Sequence, residues 1–179
     1  MIRKAVRDDI PGVVRIYDAI TTLEAEGKIH IGWVKDVYPV EEDALEALEA
    51  GELFVAEENG EIAGYAYADR AFERRAYCWD ADMSVYISKK WHGKGIGRRF
   101  YALLEDALRR MDYVSAYALV TEENAASCAF HEKMGYEKMC VMPRTGYKMG
   151  RWLGVTWYVK FLREADDPGD APKSWRDVR

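Results

Sequence analysis

The chain has 179 residues, 49% of them hydrophobic and 32% charged, which suits one soluble core and leaves no room for a second full domain. With 26 Lys and Arg against 31 Asp and Glu, the formal net charge is −5, so no global field draws in nucleic acid or an anionic membrane surface. No uncharged stretch approaches the roughly 18 residues of a spanning helix, and the first residues lack the apolar run of a secretory leader. Three cysteines, Cys78, Cys128 and Cys140, without C-x-x-C spacing argue against a disulfide framework or a metal knuckle. A reducing cytoplasm fits, and no metal is expected.

Ile2 to Ala5 reads as a short strand, after which Asp8 is placed to cap a helix whose apolar residues run from Ile10 through Val13, Ile16, Tyr17 and Ile20. The acids Glu41 to Asp43, with Leu45 and Leu48 closed by Gly51, predict a second helix, joined to the first by an aromatic-bearing loop from Ile29 to Tyr38. Leu53 to Ala56, the turn Asn59-Gly60 and Ile62 to Ala68 have the pattern of a hairpin. Tyr77 to Ile87 reads as a central strand interrupted by Asp80 and Asp82. From Gly95 to Met111 an apolar stripe repeats with helical period, while Glu105/Arg109 and Asp106/Arg110 pair on the other face.

Tyr113 to Val120 is a near-continuous apolar run, expected as a strand flanked on both faces. Asn124 to Met134 is a short helix ended by Gly135. Tyr136 to Met142 and Trp152 to Lys160 are two closing strands, with Pro143 to Arg151 as the loop between them. Residues 1–163 form one domain and 164–179 a polar tail, with Trp175 as its anchor. The order β-α-α-β-β-β-α-β-α-β-β makes an α/β mixed sheet with helices on both faces.

His92-Gly93-Lys94-Gly95-Ile96-Gly97-Arg98 closely follows a strand and opens the strongest helix. A helix N-terminus offers unpaired N–H groups and positive dipole, and glycines let a phosphate approach them. The turn is not G-x-G-x-x-G, which needs glycine at Arg98, nor a Walker loop, which ends in G-K-[ST]. The plain alternative is a turn that only packs helix on strand.

His92-x-x-Gly95-x-Gly97 resembles the pyrophosphate-binding motif of the GNAT superfamily of acyl-CoA-dependent N-acetyltransferases, Q/R-x-x-G-x-G/A, with His92 departing from the usual first residue. Asn124-x-x-Ser127-x-x-x-His131-x-x-x-Gly135-Tyr136 resembles the family's second signature. Asp82-Met83-Ser84-Val85-Tyr86-Ile87, His131-Glu-Lys-Met-Gly-Tyr136 and Gly146-Tyr-Lys-Met-Gly-Arg-Trp152 are similar to the phosphinothricin N-acetyltransferase-like branch. The resemblance implies the GNAT fold, a mixed and mostly antiparallel sheet of about seven strands. It also implies acetyl-CoA as co-substrate and a small-molecule amine, such as an amino acid, as acceptor. Dimers are common in the branch, so a homodimer is expected.

Aminolysis of a thioester needs a neutral amine, whereas a free alkylamine has a pKa of roughly 10. The resemblance puts a general base at Asp82, where the branch has glutamate; without a bulge Asp80 shares its face and is placed to raise its pKa. Val85, Tyr86 and Ile87 match the bulged strand that supplies an oxyanion donor and pairs with the pantetheine arm, Tyr86 adding a ring or hydroxyl. His92, Gly93, Lys94, Gly95, Ile96, Gly97 and Arg98 match the pyrophosphate site, Asn124 and Ser127 the cofactor-lining helix. His131 stands where the superfamily often has tyrosine, as a donor to the departing thiolate or as a structural hydrogen-bonder. Asn124 is equally an N-cap. Trp33, Tyr65, Tyr67, Tyr77 and Trp79 are candidate walls of the acceptor pocket, and Lys148 and Arg151 candidate partners for a substrate carboxylate. Two alternatives stay open: a peptide or protein acceptor on the same fold, and an acyl-CoA-binding sensor without turnover.

Overall fold

Apolar periodicity and turn chemistry settle most of the architecture in the computed structural model, which describes residues 1–29, 31–148 and 150–177, the Lys148 side chain excepted. In chain order the elements are β1 (Ile2–Lys4), α1 (Ile10–Ala25), α2 (Glu41–Ala50), β2 (Phe54–Glu58), β3 (Glu61–Arg70), β4 (Asp80–Ile87), α3 (Ile96–Arg110), β5 (Ser115–Thr121), α4 (Ala125–Lys133), β6 (Glu137–Lys148) and β7 (Arg151–Phe161). One seven-stranded sheet runs β1-β2-β3-β4-β5-β7-β6. β4 and β5 are parallel, joined through α3 as a parallel pair requires, and the other neighbours are antiparallel.

The helices divide the two faces unequally. On one face Ile96, Phe100, Leu104 and Leu108 of α3, with Phe130 of α4, pack on Ala66, Met83, Ala116 and Ala118. On the other, Val13, Ile16 and Tyr17 of α1 and Ala44 of α2 pack on Val55 and Tyr65. The second pair of helices covers only the β2–β4 half. As a result β5 is fully covered on one face, at Ala116, Ala118 and Val120, and only in part on the other, where Ser115 is buried but Leu119 is 44% exposed. Sequence composition suggested cover on both faces, and the reach of α1 and α2 explains the difference.

Several boundaries depart from expectation for local reasons. Asp8 does not cap α1; Asp9 is buried, accepts the Val6 N–H at 2.8 Å and pairs with Arg3, closing a 3₁₀ turn before the helix. The turn from Arg75 to Tyr77 is 3₁₀, so the central strand begins only at Asp80. Pro143 lies within β6 because the β6–β7 register shifts between Met142 and Gly146, and such an irregularity tolerates proline. Glu105 faces inward: its carboxylate takes Lys160 at 2.8 Å and ties α3 to β7.

The polar tail is bound across the lower end of the sheet. Trp175 is buried against Phe54 and donates its indole N–H to Ala68 C=O at 3.0 Å. Lys4 reaches the Trp175 carbonyl, and Trp79 donates to Asp170 C=O at 2.9 Å. Trp79 is thus engaged by the tail through its indole N–H. Among the described residues, no helix is long and apolar enough to cross a membrane.

Candidate active site

β4 leaves its parallel partner early. Register pairs join Asp80 to Ser115, Ala81 to Ala116 and Asp82 to Tyr117; none follows among the described residues, although the strands continue to Ile87 and Thr121. Toward β3 the β4 register is unbroken from Ala81 opposite Arg70 to Ile87 opposite Gly64. Ala71 N–H bonds Asp80 C=O and Ser88 N–H bonds Ala63 C=O, so even-numbered residues of β4 direct their backbone to β3. Alternation then turns the N–H and C=O groups of Val85 and Ile87 toward the opened seam. The expected bulge at Val85 to Ile87 is not what bares this edge; the divergence of β5 does.

At the upper end of the seam lies the glycine turn. Gly93 and Gly95 have φ of 73° and 76°, a left-handed conformation that favours glycine, and a Cβ on either would meet nothing within 4 Å. The first α-helical bond of α3 runs from Arg99 N–H to Gly95 C=O, leaving the N–H groups of Ile96, Gly97 and Arg98 with no carbonyl a turn earlier. Lys94 lies over the Trp91 ring at 4.1 Å and Arg98 is exposed, so positive charge surrounds those donors. His92 Nε2–H donates to Ile87 C=O at 2.8 Å, anchoring the turn to the end of β4. Gly97 does different work: a Cβ there would come within 3.2 Å of Phe130 and 3.3 Å of Ile87, so glycine lets α3 sit close on β4 and α4.

Asp82 occupies the point where the seam opens. It is half-buried, and its Oδ1 is sealed from solvent with no hydrogen-bond partner among the described residues. Burial pushes its carboxyl up to about 6, against a smaller opposing effect of the Met83 N–H. The like charge that adds to this is Asp69, its cross-strand partner on β3, rather than the expected Asp80. Asp80 has its own carboxyl raised by burial and bonds Ser115.

Two aromatic groups flank Asp82 on the same sheet face. On one side Tyr86 stacks on Tyr65 at 5.1 Å and meets Trp33 at 4.5 Å, while Tyr67 stacks on Tyr65 and Tyr38 packs edge-on to Trp33. On the other, Phe72 meets Tyr77, Tyr117 and Trp157 at 5.7–6.1 Å. Sequence reasoning missed Tyr38, Phe72, Tyr117 and Trp157. The period-2 alternation that puts Tyr117 beside Asp82 was the available signal, but strand order was needed to use it.

Trp33 owes its place to a loop held from behind. Glu24 is buried at the end of α1 and accepts the N–H groups of Ile31 at 2.8 Å and Gly32 at 3.0 Å.

A family model described as an acetyltransferase (GNAT) domain matches residues 15–157. The chain belongs to the GNAT family. Over 118 residues it is 36% identical to the L-methionine sulfoximine/L-methionine sulfone acetyltransferase of Salmonella typhimurium, covering 65% of this chain and 68% of that enzyme. It is also 36% identical to the phosphinothricin N-acetyltransferase of Streptomyces coelicolor, over 59% of this chain and 61% of that enzyme's length. The solved yncA acetyltransferase of Salmonella typhimurium, which holds its cofactor acetyl-CoA, superposes with a TM-score of 0.82 at 29% identity, covering 96% of this chain and 98% of that one.

Within this GNAT frame the remaining candidates divide. Asn124 caps α4, its side chain accepting Ser127 N–H at 3.1 Å. His131 is buried, with Nδ1–H donating to Ser127 C=O at 2.8 Å and Nε2 accepting the Tyr101 hydroxyl at 2.6 Å. Burial holds its pKa below the ordinary histidine value. Both ring nitrogens are thus engaged, one by the Ser127 carbonyl and the other by the Tyr101 hydroxyl. Arg151 forms a bidentate pair with Glu123 at 2.5 and 2.6 Å. The Lys148 side chain lies outside the described residues.

Proposed function

We propose that this chain transfers the acetyl group of acetyl-CoA directly to the primary amine of a small molecule, an amino acid or an amino-acid analogue. The observation that carries the reading is the open edge of β4 with Asp82 at its base. The fit to acetyl-CoA rests on this chain's own groups: a bared strand edge for an amide-bearing arm, and a left-handed glycine turn with helix N–H groups for a pyrophosphate. Acetyl-CoA supplies a thioester carbonyl and a thiolate that leaves readily. Val85 to Ile87 would hold its arm and residues 93 to 98 its pyrophosphate, with Asn124 and Ser127 lining the arm.

Each step then has a residue. Asp82 takes a proton from the acceptor amine, directly or through one water, and its raised pKa near 6 makes it a stronger base than an exposed carboxylate. The amine nitrogen forms its bond to the acetyl carbon as the C–S bond breaks. The inward N–H of Val85 or Ile87 bonds the carbonyl oxygen as negative charge grows there. Trp33, Tyr38, Tyr67 and Tyr86 form one wall of the acceptor pocket and hold water back. The similarity to enzymes named for methionine sulfoximine, methionine sulfone and phosphinothricin supports an amino-acid-sized acceptor.

Residues 1–163 are proposed as the catalytic domain, with the tail as its brace. Three free cysteines support a reducing cytoplasm. We propose a homodimer whose second copy borders the acceptor pocket on the helix-free side of β5, β7 and β6, where Leu119, Met142 and Phe161 are 42–69% exposed; sedimentation as a monomer at micromolar concentration refutes that placement. The function is tested by thiol release from acetyl-CoA against amino acids, their sulfone and sulfoximine analogues, polyamines and peptides. Turnover confined to amino-acid-sized amines is expected. Turnover with peptides alone, or binding of acetyl-CoA without turnover on any amine, overturns the reading.

A further inference from the structure

Three buried polar side-chain atoms lack a hydrogen-bond partner among the described residues: Asp82 Oδ1, Trp157 Nε1 and Trp91 Nε1. Trp91 lies beneath Lys94 and Lys90, beside the glycine turn. The other two share the acceptor face. Trp157 sits on β7 opposite Leu119, its ring parallel to Phe72 at 6.1 Å and nearly perpendicular to Tyr117 at 6.2 Å. Tyr117 is the register partner of Asp82. Asp82, Tyr117 and Trp157 therefore cross three neighbouring strands on one face, and strand spacing and rise put the outer two about 12 Å apart at Cα.

The two orphans are complementary. Asp82 Oδ1 can only accept when ionised, and Trp157 Nε1–H can only donate. A buried donor left unpaired is unfavourable, and an indole N–H usually finds a partner when buried. Phenylalanine in the same stack would fill it without that penalty. We propose that Trp157 is a specificity-determining residue of the acceptor pocket, its Nε1–H donating to an oxygen on the acceptor's side chain while Asp82 receives the amine. This rests on the acetyltransferase reading above and adds to it the residue that selects, among primary amines, those bearing an oxo group a few bonds from the nitrogen. Purely aliphatic amino acids satisfy Asp82 and leave the indole unpaired.

Methionine sulfone and methionine share a carbon chain and differ by the two sulfonyl oxygens, so they serve as the probes. Trp157→Phe keeps the ring stacked on Phe72 and deletes the donor. Its kcat/KM should fall about tenfold for the sulfone and stay within twofold for methionine, with the KM for acetyl-CoA unchanged. An equal change for both amines, or none for either, overturns the proposal. Two further measurements do not depend on turnover, and the second needs no variant. Sulfone affinity in the presence of CoA, by equilibrium dialysis, should weaken in Trp157→Phe. In the wild-type protein one indole N–H resonance should move downfield on adding the sulfone and stay put on adding methionine; its failure to move overturns the proposal. Asp82→Asn separates the two readings, because it slows both amines alike if Asp82 is the base and leaves the indole shift in place.

Discussion

Replacing Asp82 by asparagine should make the protein slower and more stable at once. The native carboxyl is held at about 6 against an ordinary 3.8, chiefly by burial. A carboxyl raised on folding binds its proton more tightly in the native state, so wild-type stability falls as pH climbs from about 4 to about 6 and then levels off. The gap corresponds to about 3 kcal/mol, fully present at neutral pH. Asparagine carries no charge to bury, so Asp82→Asn should exceed wild type by up to about 3 kcal/mol at pH 8 and by almost nothing at pH 4. Urea unfolding of both proteins at pH 5, 6, 7 and 8 measures this. Turnover should drop roughly 10²- to 10⁴-fold, with the loss shrinking as pH rises and the amine deprotonates unaided. Wild-type kcat/KM should rise with an apparent pKa near 6, and the variant should lack that limb. A stability difference that is flat with pH, or near-normal activity of Asp82→Asn at pH 7, would refute the assignment.

Gly95 has a left-handed φ and open space beyond it, so Gly95→Ala should cost about 1 kcal/mol of stability and weaken acetyl-CoA modestly, while Gly95→Asp should abolish binding. Calorimetry separates charge from strain, and equal affinities for the two variants would remove the pyrophosphate assignment. His131→Asn should lower the melting temperature but leave the pH profile of kcat unmoved, as a residue committed to Tyr101 and Ser127 requires; loss of a basic limb would restore it as a proton donor. Trp175→Ala should destabilise by about 3–5 kcal/mol in urea with the acetyl-CoA KM unchanged, since the indole is buried far along the tail.

What could be read from residues alone was whatever depends on near neighbours in the chain. The Asn59-Gly60 turn, the Gly51 stop and the stripe of α3 are local, and they appear where expected. Asp82 could be singled out because a motif carried it. Its electrostatics could not, because the charge that matters, Asp69, lies across a strand pairing that only the fold creates. The same holds for Trp157, four positions before the end of β7 and meaningless until β7 lies beside β5. His131 shows the converse: the motif suggested chemistry, and only the fold reveals that Tyr101 meets Nε2 while Ser127 holds Nδ1. Pro143 looked like a loop because its missing N–H ought to end a strand, yet a register shift absorbed it.

The early parting of β4 from β5 also decides how the molecule deforms. A sheet transmits force through its ladder, and here the plate β1–β4 and the plate β5–β7 meet in only three register pairs, all at one end. Asp82 stands at the last of these pairs, with Val85 and Ile87 on the unpaired lip beyond it, while the core under α3 spans both plates. On the function proposed above, a donor arm bonded to that lip would act as a temporary eighth strand, so binding and stiffening would be one event. Amide exchange at Val85 and Ile87 is where the two should be seen together.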